Sequence, residues 1–131
     1  MPDVKDAIDA RYSRHCRLPE LGRRGQERLL SSRILIVGCG ALGAAIASLA
    51  ARAGVGSLRI VDRDFVDLSN LQRQVLFSVE DIGVLKVEAA ARRLSKLNPN
   101  VQFDLYPYAI TRENALELLA PYDVVIDGTD N

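Results

Sequence analysis

The sequence predicts an α/β fold of the Rossmann type, in which a parallel sheet carries helices on both faces and follows an N-terminal helical arm. A continuous apolar run at residues 34–37 is typical of a strand buried on both faces. The glycine motif at 38–43 follows this strand directly and opens the alanine-rich helical segment 41–53. Further strand and helix segments then alternate, which favours a parallel sheet with right-handed crossovers.

The first half of the chain contains the arm and the first two strands. Residues 1–10 are polar and predict an exposed arm or a short helix, and residues 26–30 predict a second short helix. The helix at 41–53 is expected to end at Gly54, because glycine is favoured just past helix C-termini. The apolar segment 58–61 predicts the second strand.

The second half begins with a helix and a strand separated by a clear break. Apolar residues spaced along one helical face predict a helix over 85–97, which ends at the Asn98-Pro99-Asn100 segment. Alternation of apolar and polar residues at 101–105 predicts a half-buried strand near the sheet edge.

A last helix and strand complete the predicted elements. The helix covers 112–119 with Thr111 as its N-cap, and the strand covers 122–126. We divide the chain into an arm over 1–32 and a Rossmann-type domain over 33–131. Because doubly wound sheets normally have more strands, this domain is expected to be incomplete at its C-terminus.

Composition narrows the possible partners. The 131 residues are 48% apolar and contain 17 basic and 17 acidic side chains. This balance argues against nucleic acid or an anionic membrane as the partner. Cys16 and Cys39 form no CxxC pair, so we expect no zinc site here, and they suggest a reduced, cytoplasmic setting. No uncharged apolar run reaches ~18 residues, so we expect no membrane span.

The glycine motif predicts a phosphate-binding loop. Its sequence, Gly38-Cys39-Gly40-Ala41-Leu42-Gly43, has GxGxxG spacing between a predicted strand and a predicted helix. Gly38 allows the tight turn, Gly40 lets backbone N–H groups approach phosphate, and Gly43 lets the helix pack on the strand. The helix N-terminus at Ala41 supplies unpaired N–H donors. A glycine-rich turn that serves packing alone is the alternative.

Asp62 ends the second strand, where an acidic residue commonly hydrogen-bonds the ribose of a bound nucleotide. A strand-end carboxylate that faces water is the alternative. The glycine motif and Asp62 together fit an NAD-dependent oxidoreductase as well as an ATP-binding enzyme. His15 is the only histidine, so no Ser-His-Asp triad can be built.

Several further motifs separate these classes. They are Arg11-Tyr12-Ser13-Arg14, Ser69-Asn70-Leu71-Gln72-Arg73-Gln74, Asp81-Ile82-Gly83 followed by Lys86, and Asp127-Gly128-Thr129-Asp130-Asn131. In their order and spacing, over about residues 11–131, the chain resembles the MoeB/ThiF family, the bacterial relatives of ubiquitin-activating enzymes.

The resemblance implies an adenylyltransferase that uses ATP and Mg²⁺. Its substrate would be the C-terminal carboxylate of a ubiquitin-like sulfur-carrier protein, with pyrophosphate released, in molybdopterin, thiamine or a related biosynthesis. The resemblance also implies a homodimer. The transfer cysteines and CxxC zinc ligands of the family would lie downstream of the Asp130 region. An NAD-dependent oxidoreductase and a non-catalytic nucleotide- or carrier-binding fragment remain the alternatives.

Three cations and one carboxylate are the predicted catalytic residues. Charge on a leaving pyrophosphate is stabilised by cations aimed at it, and Arg73 and Lys86 suit this role. By resemblance, Arg14 reaches the phosphates of the neighbouring subunit. Asp130 follows the last strand and, in the strand order 3-2-1-4, faces the glycine motif across the crevice. A carboxylate there suits Mg²⁺, the role that the resemblance assigns to it.

Each of these residues has a structural alternative: solvated surface charge for the cations, and an Asx cap for Asp130. Ser69 could cap the short helix that follows it, and Asn70 could be a turn residue. With the resemblance, the predicted nucleotide-binding set is Gly38, Gly40, Ala41, Gly43, Asp62, Ser69, Asn70 and Gln74.

Overall fold

The computed structural model describes residues 3–130; the first two residues of the predicted arm and Asn131 lie outside them. Three helices precede the sheet: α1 Val4–Arg11, α2 Ser13–Cys16 and α3 Gly22–Ser31. Strands and helices then alternate as β1 Arg33–Val37, α4 Ala41–Ala53, β2 Ser57–Val61, α5 Lys86–Leu97, β3 Gln102–Tyr106, α6 Ala115–Leu119 and β4 Val124–Asp127. Two 3-10 turns, Leu68–Asn70 and Val79–Asp81, lie in the crossover between β2 and α5.

The four strands form a parallel sheet in the order β3-β2-β1-β4. This arrangement confirms the predicted fold class and strand order. Val37, the last residue of β1, pairs with Val61 of β2 and with Asp127 of β4. The carboxyl ends of these three strands therefore meet at one edge of the sheet, and β3 is an edge strand, as its alternating pattern predicted.

Helices cover both faces of the sheet. Ile36 and Ile60 point to the face covered by α4 and α5, where both are fully buried in the main apolar cluster. Alternate side chains of a strand point to the opposite face. On that face Arg59 of β2 donates a hydrogen bond to the Leu118 carbonyl of α6. Within the described residues, no helix has both the length and the apolar character needed to cross a membrane.

Two helices begin three or four residues away from their predicted starts. α3 begins at Gly22, four residues before the predicted start. α6 begins at Ala115, three residues after the predicted start, because residues 112–114 form a turn. The predicted capping role of Thr111 agrees with the hydrogen bonds: the Asn114 N–H donates to the Thr111 hydroxyl oxygen, and the Thr111 N–H donates to Asn114 Oδ1. This reciprocal pair is a capping box for the turn that leads into α6.

Buried polar contacts attach the arm to the C-terminal end of α4. Gln26 is fully buried; its Nε2 donates to the Ala53 carbonyl at 2.9 Å, and its Oε1 lies 2.7 Å from His15 Nδ1. Asn98, also fully buried, donates to the Tyr12 hydroxyl and to a carbonyl in the last turns of α4, both at 2.7 Å. The arm is therefore fixed at the end of α4 that lies opposite the glycine motif.

Candidate nucleotide site

A cavity of about 730 Å³ opens at the carboxyl edge of the sheet. The glycine motif, the crossover after β2 and the segments after β3 and β4 surround it. Of the predicted site residues, those that line it are Gly38, Gly40, Ala41, Asp62, Asn70, Arg73, Gln74, Lys86 and Asp130. This edge is the topological switch point of the sheet, where α/β folds of this type bind ligands.

Three predicted site residues are not among those that line the cavity: Gly43, Ser69 and Arg14. Gly43 lies in the first turn of α4. The Ser69 hydroxyl donates to Asp67 Oδ1 at 2.7 Å, and Asp67 rather than Ser69 is the N-cap of the 3-10 turn Leu68–Asn70. Arg14 is exposed on the arm, which is attached to the C-terminal end of α4. This helix has 13 residues and is about 20 Å long, and the cavity lies at its N-terminal end.

Three glycines bring the walls of the cavity into backbone contact. Gly38 has φ +89°, and a Cβ on Gly43 would lie 1.7 Å from the Gly38 carbonyl oxygen. A Cβ on Gly128 would lie 2.9 Å from the Gly43 Cα, and the Gly128 N–H donates to the Val37 carbonyl at 2.7 Å. Sequence reasoning quoted Gly128 within a motif but did not single it out. Its position directly after a strand was the available signal.

Lys86 and Gln74 are buried polar groups that line the cavity. Lys86 is 6% exposed, and its Nζ lies 4.0 Å from Asp64 Oδ2, which is longer than a hydrogen bond. Gln74 is 4% exposed, and its Oε1 has no hydrogen-bond partner within residues 3–130. Buried polar groups are normally paired. Lys86 therefore suits an anionic group of a ligand, and Gln74 Oε1 suits a hydrogen-bond donor such as a hydroxyl or amino group.

The crossover after β2 is held by its own hydrogen bonds. Asp67 Oδ1 accepts from the Ser69 N–H at 2.8 Å, and the Asp67 N–H donates to Asn70 Oδ1 at 2.8 Å. The hydrogen bonds from Ser69 lower the pKa of Asp67. The exposed guanidinium of Arg73 donates to the Ser69 carbonyl at 3.1 Å. Asn70 and Arg73 thus reach the cavity from a segment with a fixed shape.

Cys39 is a buried residue of the glycine motif. Its side chain is fully buried, and its backbone N–H donates to Asp62 Oδ2 at 2.7 Å. Burial first, and then the charge of Asp62, raise the pKa of the Cys39 thiol to about 12. Because the thiolate is the reactive form, Cys39 is a small apolar filler at neutral pH.

Asp130 lines the cavity together with Gly38 and Gly40, so the strand order places it across from the glycine motif. The turn before it is fixed by Asp127, whose Oδ1 accepts from the Thr129 N–H at 3.0 Å and from the Thr129 hydroxyl at 2.6 Å. These bonds lower the pKa of Asp127.

Sequence reasoning missed the wall formed by Tyr108, Ala109 and Ile110, which follows β3 and lines the cavity. Tyr108 is 64% exposed, and its ring meets Tyr106 edge-on with centroids 5.3 Å apart. The only available signal was that β3 ends at the same edge of the sheet as β1 and β2. This wall offers apolar and aromatic surface beside the polar groups of the glycine motif.

The fold and the site define a Rossmann-type domain whose glycine motif lines a cavity at the switch point. Residues 12–131 match the ThiF family, and the chain belongs to this family.

Several known proteins of similar sequence are named as adenylyltransferases. The chain is 46% identical over 128 residues to the sulfur carrier protein adenylyltransferase of Thermus thermophilus, an alignment that covers 98% of this chain and 47% of that protein. It is 50% identical over 121 residues to the adenylyltransferase and sulfurtransferase MOCS3 of Mus musculus, covering 92% of this chain and 26% of that protein.

Solved structures show the same fold. The E. coli tRNA N6-threonylcarbamoyladenosine dehydratase TcdA in complex with ATP aligns with a TM-score of 0.89 at 28% identity, covering 96% of this chain and 51% of that chain. This chain therefore spans about half the length of TcdA and of the Thermus relative, and a smaller share of the mouse protein.

Proposed function

We propose that this chain forms the ATP-binding part of a cytoplasmic adenylyltransferase. The reaction would join the C-terminal carboxylate of a ubiquitin-like sulfur-carrier protein to AMP and release pyrophosphate. The observation that carries the proposal is the convergence of buried Lys86 and the unpaired Gln74 Oε1 on the cavity beside the glycine motif. The names of the relatives and the ATP bound to TcdA support the choice of reaction and nucleotide.

The residues around the cavity fit an adenosine triphosphate. The N-terminal turn of α4, which begins at Ala41, offers backbone N–H groups to phosphate. The glycine motif and the crossover lie close together here, since a Cβ added at Gly40 would lie 3.6 Å from Gln74 Nε2. Asp62 and the wall that begins at Tyr108 line the cavity; in this proposal Asp62 would bind ribose and the wall would contact the base.

In the proposed reaction, the chain supplies positioning and charge stabilisation. Lys86 and Arg73 would stabilise the negative charge that develops on the leaving pyrophosphate. No general base is needed, because the attacking carboxylate is already ionised. Magnesium, when bound, would neutralise phosphate charge. Asp130, which lines the cavity, would hold it, since Mg²⁺ is commonly bound through one or two carboxylates and phosphate oxygens.

We also propose a homodimer in which Arg14 completes the site of the partner subunit. Arg14 is exposed, and the arm that carries it is attached to the C-terminal end of α4, whereas the cavity of the same chain lies at the N-terminal end of this helix. The crossover beside the cavity exposes large apolar side chains, a feature of protein interfaces; they are Phe65, Leu68, Val75 and Val79.

The dimer is tested by light scattering and by mixing two variants. In a hybrid of Arg14→Ala and Lys86→Ala subunits, one of the two sites would keep both cations. An equal mixture is expected to regain up to about one quarter of the strong ATP sites, because half of the dimers are hybrids. A monomeric chain that binds ATP with full affinity, or a mixture with no strong sites, would contradict this arrangement.

The nucleotide assignment is tested by calorimetry with ATP and with NAD, each with and without Mg²⁺. We expect magnesium-dependent ATP binding that Lys86→Met weakens by about tenfold or more and that Asp130→Asn makes independent of magnesium. Lys96→Met, on an exposed position in the last turn of the same helix, is the matched control and should bind normally. Tighter binding of NAD than of ATP would favour an oxidoreductase instead.

A further inference from the structure

The Asp62 carboxylate bonds to the backbone through both of its oxygens. Its Oδ2 accepts from the Cys39 N–H at 2.7 Å, and its Oδ1 accepts from the Asp64 N–H at 2.8 Å. One side chain therefore joins the glycine motif to the first residues of the crossover. Hydrogen bonds to an ionised acceptor are stronger than neutral ones.

The bond to Cys39 acts on the peptide between Gly38 and Cys39, inside the glycine motif. Cys39 lies between Gly38 and Gly40, and glycine tolerates a wide range of backbone angles. The Gly38 N–H extends the sheet by donating to the Val61 carbonyl at 2.8 Å, whereas the Cys39 N–H donates to the Asp62 side chain. Asp62 thus sets the orientation of the peptide that leads into the phosphate-binding turn.

The bond to Asp64 acts on the opposite wall. The Asp64 carbonyl accepts from the Lys86 backbone N–H at 2.9 Å, and the Asp64 carboxylate lies 4.0 Å from the Lys86 ammonium. By holding the Asp64 N–H, Asp62 fixes the turn that contacts the first residue of α5. The position of the buried cation relative to the glycine motif therefore depends on one carboxylate.

We propose that Asp62 is a positioning residue, which sets the phosphate-binding shape of the glycine motif and the placement of Lys86 before a nucleotide binds. This inference rests on the proposed function for the nature of the ligand, and it is additional to the ribose contact given to Asp62 there. A carboxylate oxygen can accept more than one hydrogen bond, so the backbone and a ribose can share it. Loss of the carboxylate must then weaken a ligand that has phosphates and no ribose.

The test compares ATP with inorganic tripolyphosphate in the Asp62→Asn variant. Asparagine has the same shape but presents an amide donor to one of the two backbone N–H groups. We expect dissociation constants for both ligands to rise about tenfold or more. Asp123→Asn is the matched control, because Asp123 Oδ2 accepts from the Arg33 N–H at 2.8 Å at the opposite end of β1. Weakened ATP binding with unchanged tripolyphosphate binding would show that Asp62 serves ribose alone and would overturn the proposal.

Amide hydrogen exchange in the free chain gives a second readout that needs no ligand. In Asp62→Asn, exchange at the Cys39 amide should accelerate about tenfold or more and by a larger factor than exchange within β1, which follows only the global loss of stability from the missing bond. Acceleration at Cys39 no greater than that within β1 would indicate a general loss of stability and would count against positioning. Binding of neither ligand by the unmodified chain would defeat the proposed function, whereas unchanged exchange at Cys39 would defeat this inference.

Discussion

Gly43→Ala should destabilise the chain, although alanine is normally about 1 kcal/mol better than glycine inside a helix. A Cβ at Gly43 would lie 1.7 Å from the Gly38 carbonyl oxygen and 2.7 Å from its carbonyl carbon. Both are backbone atoms, so α4 would have to move away from the end of β1. Overpacking costs about 1–3 kcal/mol. Because the clash is with backbone, we take the upper end of that range, about 3 kcal/mol, and subtract the gain in helix propensity of about 1 kcal/mol. The free energy of unfolding should therefore fall by about 2 kcal/mol.

Urea denaturation measures this loss as a lower midpoint at unchanged slope. Gly25→Ala in α3 is the matched control, because its added Cβ would meet Leu21 Cδ1 at 2.6 Å, the end of a side chain that can rotate away. The control should be neutral or more stable by up to about 1 kcal/mol. Equal stability of the two variants would show that the contact between α4 and the glycine motif is not as tight as described.

Other perturbations test other parts of the structure. Tyr12→Phe removes the hydroxyl that accepts a buried hydrogen bond from Asn98, and urea titrations should show a free energy of unfolding lower by about 1–2 kcal/mol. An unchanged free energy would contradict the anchoring of the arm. With its pKa at about 12, Cys39 should resist alkylation near pH ~8 in the folded chain, while half-buried Cys16 reacts first, as mass spectrometry can show. Because the pKa of folded Asp127 is below its ordinary value of 3.8, this carboxylate stabilises the fold at pH values above 3.8, and the stabilisation is lost as the pH falls through the lowered pKa. Thr129→Val removes one of the hydrogen bonds that lower this pKa, so the free energy of unfolding should fall less steeply with acid in a pH series of urea titrations.

The central elements of the fold could be predicted because local and global signals agree there. The apolar run of β1, the glycine motif and the alanine-rich α4 each favour the element that forms, and α4 ends at Gly54 with φ +89°. α3 was predicted too short because glycines lower helix propensity. In the structure buried Gln26 fixes this helix to α4, and such tertiary contacts are not visible in a local pattern.

The site could be predicted in residue type but not in geometry. The strand order 3-2-1-4 was enough to bring Asp130 to the glycine motif, because the carboxyl ends of β1 and β4 are neighbours. The backbone bonds of Asp62 and the contact of Gly128 with Gly43 depend on the register and spacing of strands, to within an ångström. Motif spacing carries no such distances.

Burial combined with pairing separates the polar residues that hold the fold from those that line the candidate site. Within residues 3–130, the buried polar side chains are Gln26, Gln74, Lys86 and Asn98. Gln26 and Asn98 bond to the arm and to α4, which accounts for their burial. Lys86 has a carboxylate only at 4.0 Å, and Gln74 keeps an unpaired oxygen. Such groups cost stability in the free chain. Both lie in one cavity, so a ligand with an anionic group for Lys86 and a hydrogen-bond donor for Gln74 Oε1 would recover that cost and bind more tightly for it.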